Sequence, residues 1–220
     1  MKVRVIPKRN GHANAKERRL TAQIHFPNGK SVPCQPIDLQ ISHVRQKNIC
    51  GCGLAALEMV LKYYGASETQ TDFLIDRRIK RQVESARRGL SEGTIGTLAL
   101  KRGFKAVIYG EKPRLTKAFF QLGGKVEKVK TDKQLIINCL RQGVPPIVLI
   151  QKVSEAYEQR LEEIGHYVVV SGVDSRYQLQ VVDPQYSQGP KQDYWNSWSS
   201  SLIEIKPMLT RAATLSMEEI

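Results

Sequence analysis

Residues 46–65 read QKNICGCGLAALEMVLKYYG, and the fold turns on this stretch. From Gly53 to Tyr64 it is a run of helix formers, and Gly65 stands where a helix stops. The pattern predicts a helix over 53–64. Cys52 then sits at the helix start, where unpaired backbone N–H groups and the helix dipole favour a thiolate over a thiol. Gly51 and Gly53 remove side chains from both flanks of the sulfur and are candidate substrate contacts, because a peptide backbone could come close there. Six residues before the cysteine, the Gln46 amide can donate to a carbonyl oxygen as it becomes an oxyanion, with the Cys52 backbone N–H as the second donor.

Further along the chain, a second helical stretch is expected over 71–88. A third is expected to start near Gly96 and stop at Gly103, before the strand-like FKAVIYG of 104–110. LTKAFFQLGG (115–124) and DKQLIINCLRQG (132–143) read as two more helices, each closed by glycine. Then the character changes. PPIVLI (145–150), HYVVVSGV (166–173), YQLQVVDP (177–184) and LIEIKP (202–207) are short β-rich segments divided by turn residues. Helices first and a largely antiparallel sheet afterwards make an α+β domain.

Before the cysteine, residues 1–20 are basic and lack apolar periodicity, apart from a first strand suggested over Val3–Ile6. Alternation at Leu20, Ala22, Ile24 and Phe26 followed by Asn28-Gly29 predicts a hairpin outside the main core. The expected organisation is a basic arm and hairpin over 1–40, one domain over 41–207 and a tail over 208–220. No secretory signal and no apolar run of the roughly 18–20 residues that cross a bilayer is present, so the expected location is cytoplasmic, with signal-independent export left open.

The chain has 34 basic and 21 acidic residues, a net charge of +13. That excess would attract an acidic partner at low salt. Zinc-finger spacing and aromatic-interleaved basic motifs are absent, so nucleic acid is not the expected partner. The cysteines at 34, 50, 52 and 139 are read as reduced thiols.

A cysteine nucleophile needs a base, and that base needs an orienting group. His166 opens an apolar strand. Asp183 closes the next one, and the short connection GVDSRY predicts a hairpin that brings the two together. Gly165 is a further candidate substrate contact. Cys50 is a rival nucleophile, or a resolving thiol or metal ligand. A zinc site on Cys50 and Cys52 would need two more spaced ligands, and none presents itself. Asp174 is a second candidate orienter, but belongs to the hairpin turn. Cys34 and Cys139 read as structural, with Cys139 on the buried face of its helix.

A glutamine six residues before a cysteine that opens a long helix resembles the signature of papain-like cysteine peptidases. CGLAALEMVLKYYG, GHYVVVSGVD and QVVDP are similar to the bacteriocin-leader-processing, double-glycine branch, over about residues 40–207. The resemblance implies a papain-like fold with a helical half and a twisted antiparallel sheet. It implies a protein or peptide substrate cleaved after small residues such as Gly, and no cofactor. It assigns Cys52 as nucleophile, His166 as base and acid, Asp183 as orienter and Gln46 to the oxyanion pocket, with Trp195 and Trp198 covering the histidine. Two alternatives use the same residues differently: an acyltransferase on the same triad, and a catalytically silent peptide-binding module with a basic surface.

Overall fold

The computed structural model describes residues 23–25, 31–33, 35–85, 89–152, 164–185, 191–192 and 199–208. The strand expected at Val3–Ile6, Cys34 and the two tryptophans lie outside these residues. Among them no helix is long and apolar enough to cross a membrane.

The expected hairpin is present as β1 (Gln23–His25) and β2 (Ser31–Pro33), an antiparallel pair forming its own small sheet. After the short β3 (Ile37–Asp38) comes α1 (Cys52–Tyr63). It begins at the cysteine and ends before Gly65, whose φ of +82° is the left-handed stop that glycine makes cheaply. Every α1 residue from Cys52 to Leu61 is buried, so α1 is a core helix with no solvent stripe along that length.

The helix expected over 71–88 is two helices, α2 (Gln70–Phe73) and α3 (Arg77–Glu84). The physical reason is capping. Thr69 and Asp72 form a capping box that starts α2, and the Asp76 side chain accepts from the Arg78 N–H to start α3. The next helix, α4 (Glu92–Leu100), begins earlier than its glycines suggest, capped by Ser91. Gly93 and Gly96 do not break it, because they are packing positions. A Cβ on Gly93 would lie 2.6 Å from the Thr116 nitrogen, and one on Gly96 would lie 2.5 Å from the Phe119 ring.

β4 (Phe104–Gly110), α5 (Lys117–Gln121), β5 (Lys125–Glu127), α6 (Lys133–Arg141), β6 (Ile147–Lys152), β7 (Ile164–Val173), β8 (Leu179–Val182), β9 (Lys191–Gln192) and β10 (Ser199–Pro207) follow. The strands order as β5-β4-β10-β6-β7-β8-β9, with β3 also on β7. Among the described residues β4–β5 is the one parallel pairing in this sheet.

Strand periodicity divides the core. Tyr167 and Val169 of β7 join the cluster built on α1 and α4, and Val168 and Val170 join the cluster built on α6. Cys139 is in the second cluster, 2% exposed, as expected for the buried face of α6. Its thiol donates to Glu204 at 3.6 Å, and burial first, then the Glu204 charge, push it up to about 12. The molecule is thus an α+β fold with a helical half laid on a twisted, largely antiparallel sheet. Because α1 packs across β7, the start of the helix meets the start of the strand.

Candidate active site

That crossing brings together Cys52 and His166, which are 114 positions apart in the chain. The sulfur is held by three hydrogen bonds. His166 hydrogen-bonds it, and the backbone N–H groups of Tyr167 and Gly53 donate to it. Burial pushes the Cys52 thiol up, since the residue is 6% exposed, but the His166 hydrogen bond and charge and the two backbone donors outweigh burial. The net result is a thiol held below its ordinary value.

His166 shows the complementary shift. Burial opposes a charged imidazole, yet the hydrogen bonds to Asp183 and Cys52, together with their charges, push it up to about 9. Its Nε2–H donates to Asp183 Oδ1 at 2.7 Å, and both side chains are buried. Each ring nitrogen has one bonding direction in the ring plane, so the contact with sulfur falls to Nδ1. The two shifts run in opposite directions, and each favours the charged form of its group.

Asp183 is 3% exposed and is fixed by more than the histidine. Its Oδ1 also accepts from the Gln185 N–H at 2.8 Å, and its carbonyl accepts from His43 Nε2–H at 3.1 Å. The β7–β8 pairing that carries this contact runs from Val169↔Val182 to Val173↔Leu179, the hairpin expected from the sequence. Asp174 is spent on the turn, where its Oδ1 accepts from the Arg176 and Gln178 N–H groups.

Gln46 reaches the cysteine through the loop before it. Its Nε2 donates to the carbonyls of Asn48 and Ile49, each at 3.1 Å, and its backbone N–H donates to Pro184 O at 2.9 Å. Asn48 O also accepts from the Gly51 N–H at 2.9 Å. Gln46 therefore touches the chain next to Asp183 on one side and the loop leading to Cys52 on the other.

The three glycines differ in surroundings. A Cβ on Gly51 would lie 3.0 Å from Asn48 O, inside its own loop. One on Gly53 would lie 2.8 Å from Ile95 Cδ1 and 3.2 Å from the Tyr167 ring, so that face is filled by core. Gly165 is exposed on β7, immediately before His166.

Cys50 is half-buried. Burial, then the negative charge of Cys52, raise its thiol, the opposite of what a nucleophile needs. Among the described residues no three His, Cys, Asp or Glu side chains converge in a way that could hold a metal.

A family model described as the Peptidase_C39 like family matches residues 38–202, three-quarters of the chain. The chain belongs to the Peptidase_C39-like family. The sequence resemblance to double-glycine peptidases is borne out at this level, and so is the α+β papain-like fold class. A solved structure similar to this Peptidase_C39-like chain is a double glycine motif protease from an AMS/PCAT transporter in complex with the leader peptide. It is 19% identical, with a TM-score of 0.48, and the match covers 80% of this chain and 99% of that one. A search of curated proteins gave no match.

Some contacts in this Peptidase_C39-like site carry no spacing signal in the sequence. His43, Gln70, Glu58 and the Tyr167 N–H all reach the site or its supports through tertiary contacts. Glu58 alone was detectable in principle, as an acid in the otherwise apolar run GLAALEMVL.

Proposed function

We propose that the protein is a cysteine endopeptidase working through a Cys52 acyl-enzyme. The observation that carries the reading is the buried chain Cys52–His166–Asp183, in which the thiol is lowered, the imidazole is raised to about 9 and the carboxylate is 2.7 Å from the ring.

In the proposed reaction the Cys52 thiolate attacks the peptide carbonyl, forming the C–S bond while the carbonyl π pair moves to oxygen. Two donors receive that oxyanion. One is the Cys52 N–H, which as the first residue of α1 has no helical carbonyl behind it. The other is Gln46 Nε2. Its bond to Asn48 O is expendable, because that carbonyl keeps the Gly51 N–H, so switching to an oxyanion exchanges a neutral hydrogen bond for a stronger charge-assisted one. Collapse of the intermediate breaks the C–N bond as the His166 imidazolium gives its proton to the leaving amine. His166, now neutral, then takes a proton from water, whose oxygen attacks the thioester and releases the acid and the thiolate.

Specificity for small residues such as Gly fits a nucleophile residue, Cys52, that is 6% exposed, where a wide side chain beside the scissile carbonyl would meet the site's walls. The exposed backbone at Gly165 fits contact with an extended peptide. Peptides containing a Gly-Gly site provide the test. Native protein should cleave them after Gly and give a transient acyl adduct on Cys52 by intact mass, whereas Cys52→Ala should do neither. Product appearing only when an added amine resolves the adduct would make the protein an acyltransferase. Binding without any adduct would leave a peptide-binding module.

A further inference from the structure

We propose that Gln70 is a positioning residue that holds the Gln46 segment for oxyanion binding; the inference rests on the peptidase reading above. Gln70 is 1% exposed and lies outside the reacting groups, at the first residue of α2. Its side-chain Oε1 accepts from the Lys47 N–H at 3.0 Å, and its Nε2 donates to Arg45 O at 3.0 Å. These are the two backbone groups on either side of Gln46. In extended chain the carbonyl of one residue and the N–H of the next but one point to the same edge, so a single amide meets both as a neighbouring strand would. The opposite edge is taken by the Gln46 N–H, which donates to Pro184 O at 2.9 Å. Pinned on both edges, the segment has its remaining freedom in the Gln46 side chain, which lies on the loop before Cys52.

Gln70 is itself tied to the helix that carries the nucleophile. Glu58, in the middle of α1 and 4% exposed, accepts from the Gln70 backbone N–H at 2.8 Å and from Gln70 Nε2 at 3.3 Å. Lys62 pairs with the same carboxylate at 2.8 Å. A carboxylate in a core helix is costly unless it is bonded, and here its bonds decide the direction of the amide. Turning that amide over would set its oxygen against both Glu58 and Arg45 O. Sequence separation hid this arrangement, since the residues it joins lie at 45–47, 58 and 70. The result is a connection from α1, which carries Cys52, to the segment that carries Gln46.

Two thiol reagents separate positioning of the oxyanion donor from activation of the sulfur. An acetyl-Gly-glycinal aldehyde is attacked by the thiolate to give a tetrahedral hemithioacetal, whose oxygen occupies the oxyanion position. Iodoacetamide alkylates the same sulfur by displacing iodide and forms no oxyanion. In Gln70→Leu the aldehyde should bind about tenfold more weakly or worse, while the iodoacetamide rate at Cys52 should stay within about twofold of native. Gln70→Glu covers the case in which the leucine variant fails to fold. A protonated carboxyl repeats the acceptor for the Lys47 N–H and one donor, enough for Arg45 O, and an ionised one has no donor, so its aldehyde affinity relative to native should recover in part as pH is lowered. Equal losses with both reagents, unchanged aldehyde binding, or no recovery in Gln70→Glu would overturn the role of Gln70. Native protein that reacts with neither reagent at Cys52 would instead sink the peptidase reading itself.

Discussion

In His166→Ala, labelling of Cys52 at about pH 6 should fall by roughly a hundredfold or more, and peptide cleavage by about a thousandfold. The direction follows from the balance at the sulfur. Burial is the largest influence on Cys52 and it raises the thiol; the His166 hydrogen bond and charge are the leading influences that lower it. Removing the ring leaves the Tyr167 and Gly53 N–H groups to stabilise the thiolate against burial. The variant should therefore react as a buried thiol, with labelling rising only at alkaline pH. Hydrolysis should suffer more than labelling, because it also needs the proton that His166 delivers to the leaving amine. Mass mapping of the modified residue, beside a cleavage assay, reads both numbers. Labelling at about pH 6 that survived the substitution would mean that the helix start activates Cys52 without help from His166.

The second large effect is expected at Asp183, where two substitutions separate geometry from charge. Asp183→Ala removes the acceptor at 2.7 Å from His166 Nε2 and the acceptor of the Gln185 N–H. The ring then loses its fixed direction, and cleavage should fall about a hundredfold. Asp183→Asn keeps an oxygen for the ring N–H and removes the negative charge. Burial opposes the His166 imidazolium, and Asp183 sustains it near 9 chiefly through its hydrogen bond, with its negative charge a smaller addition. The asparagine variant should accordingly keep much of its rate at about pH 6 while its alkaline limb moves to lower pH. The sign is fixed: a raised imidazole keeps its proton up to about 9, and losing the carboxylate charge lets that proton leave earlier. A pH–rate profile of the three proteins decides the matter. Equal losses in both variants would show that charge, rather than orientation, is what Asp183 contributes.

The parts of the site that could be read from the sequence are those coded locally. Cys52 at the head of an apolar helix, Gly65 at its end, and the β7–β8 hairpin joining His166 to Asp183 each depend on residues close in the chain, so periodicity and turn chemistry exposed them. The break between α2 and α3 was also local, written in Thr69, Asp72 and Asp76, but the basic run of 77–88 concealed it behind a continuous helical pattern. The start of α4 was misplaced for another reason. Gly93 and Gly96 look like breakers until Leu115, Thr116 and Phe119 are packed against them, and that contact is tertiary. Gly53 gave a similar lesson, since its missing side chain makes room for Ile95 and Tyr167. The parallel β4–β5 pairing, the contact of His43 with Asp183 and the Gln70 clamp all depend on which elements meet in space, and no residue spacing announces them.

The proposed chemistry requires that Cys52 be a thiolate paired with a protonated His166 in the native protein. The measurement that tests it most directly is the rate of Cys52 labelling by an epoxysuccinyl inhibitor from about pH 4 to about pH 9, with the modified residue mapped by mass. Fast labelling of Cys52 is expected well below pH 8, on a plateau that ends as His166 loses its proton near 9. A rate that simply climbs through about pH 8.5, as it does for an ordinary thiol, or modification of Cys50 in place of Cys52, would contradict it.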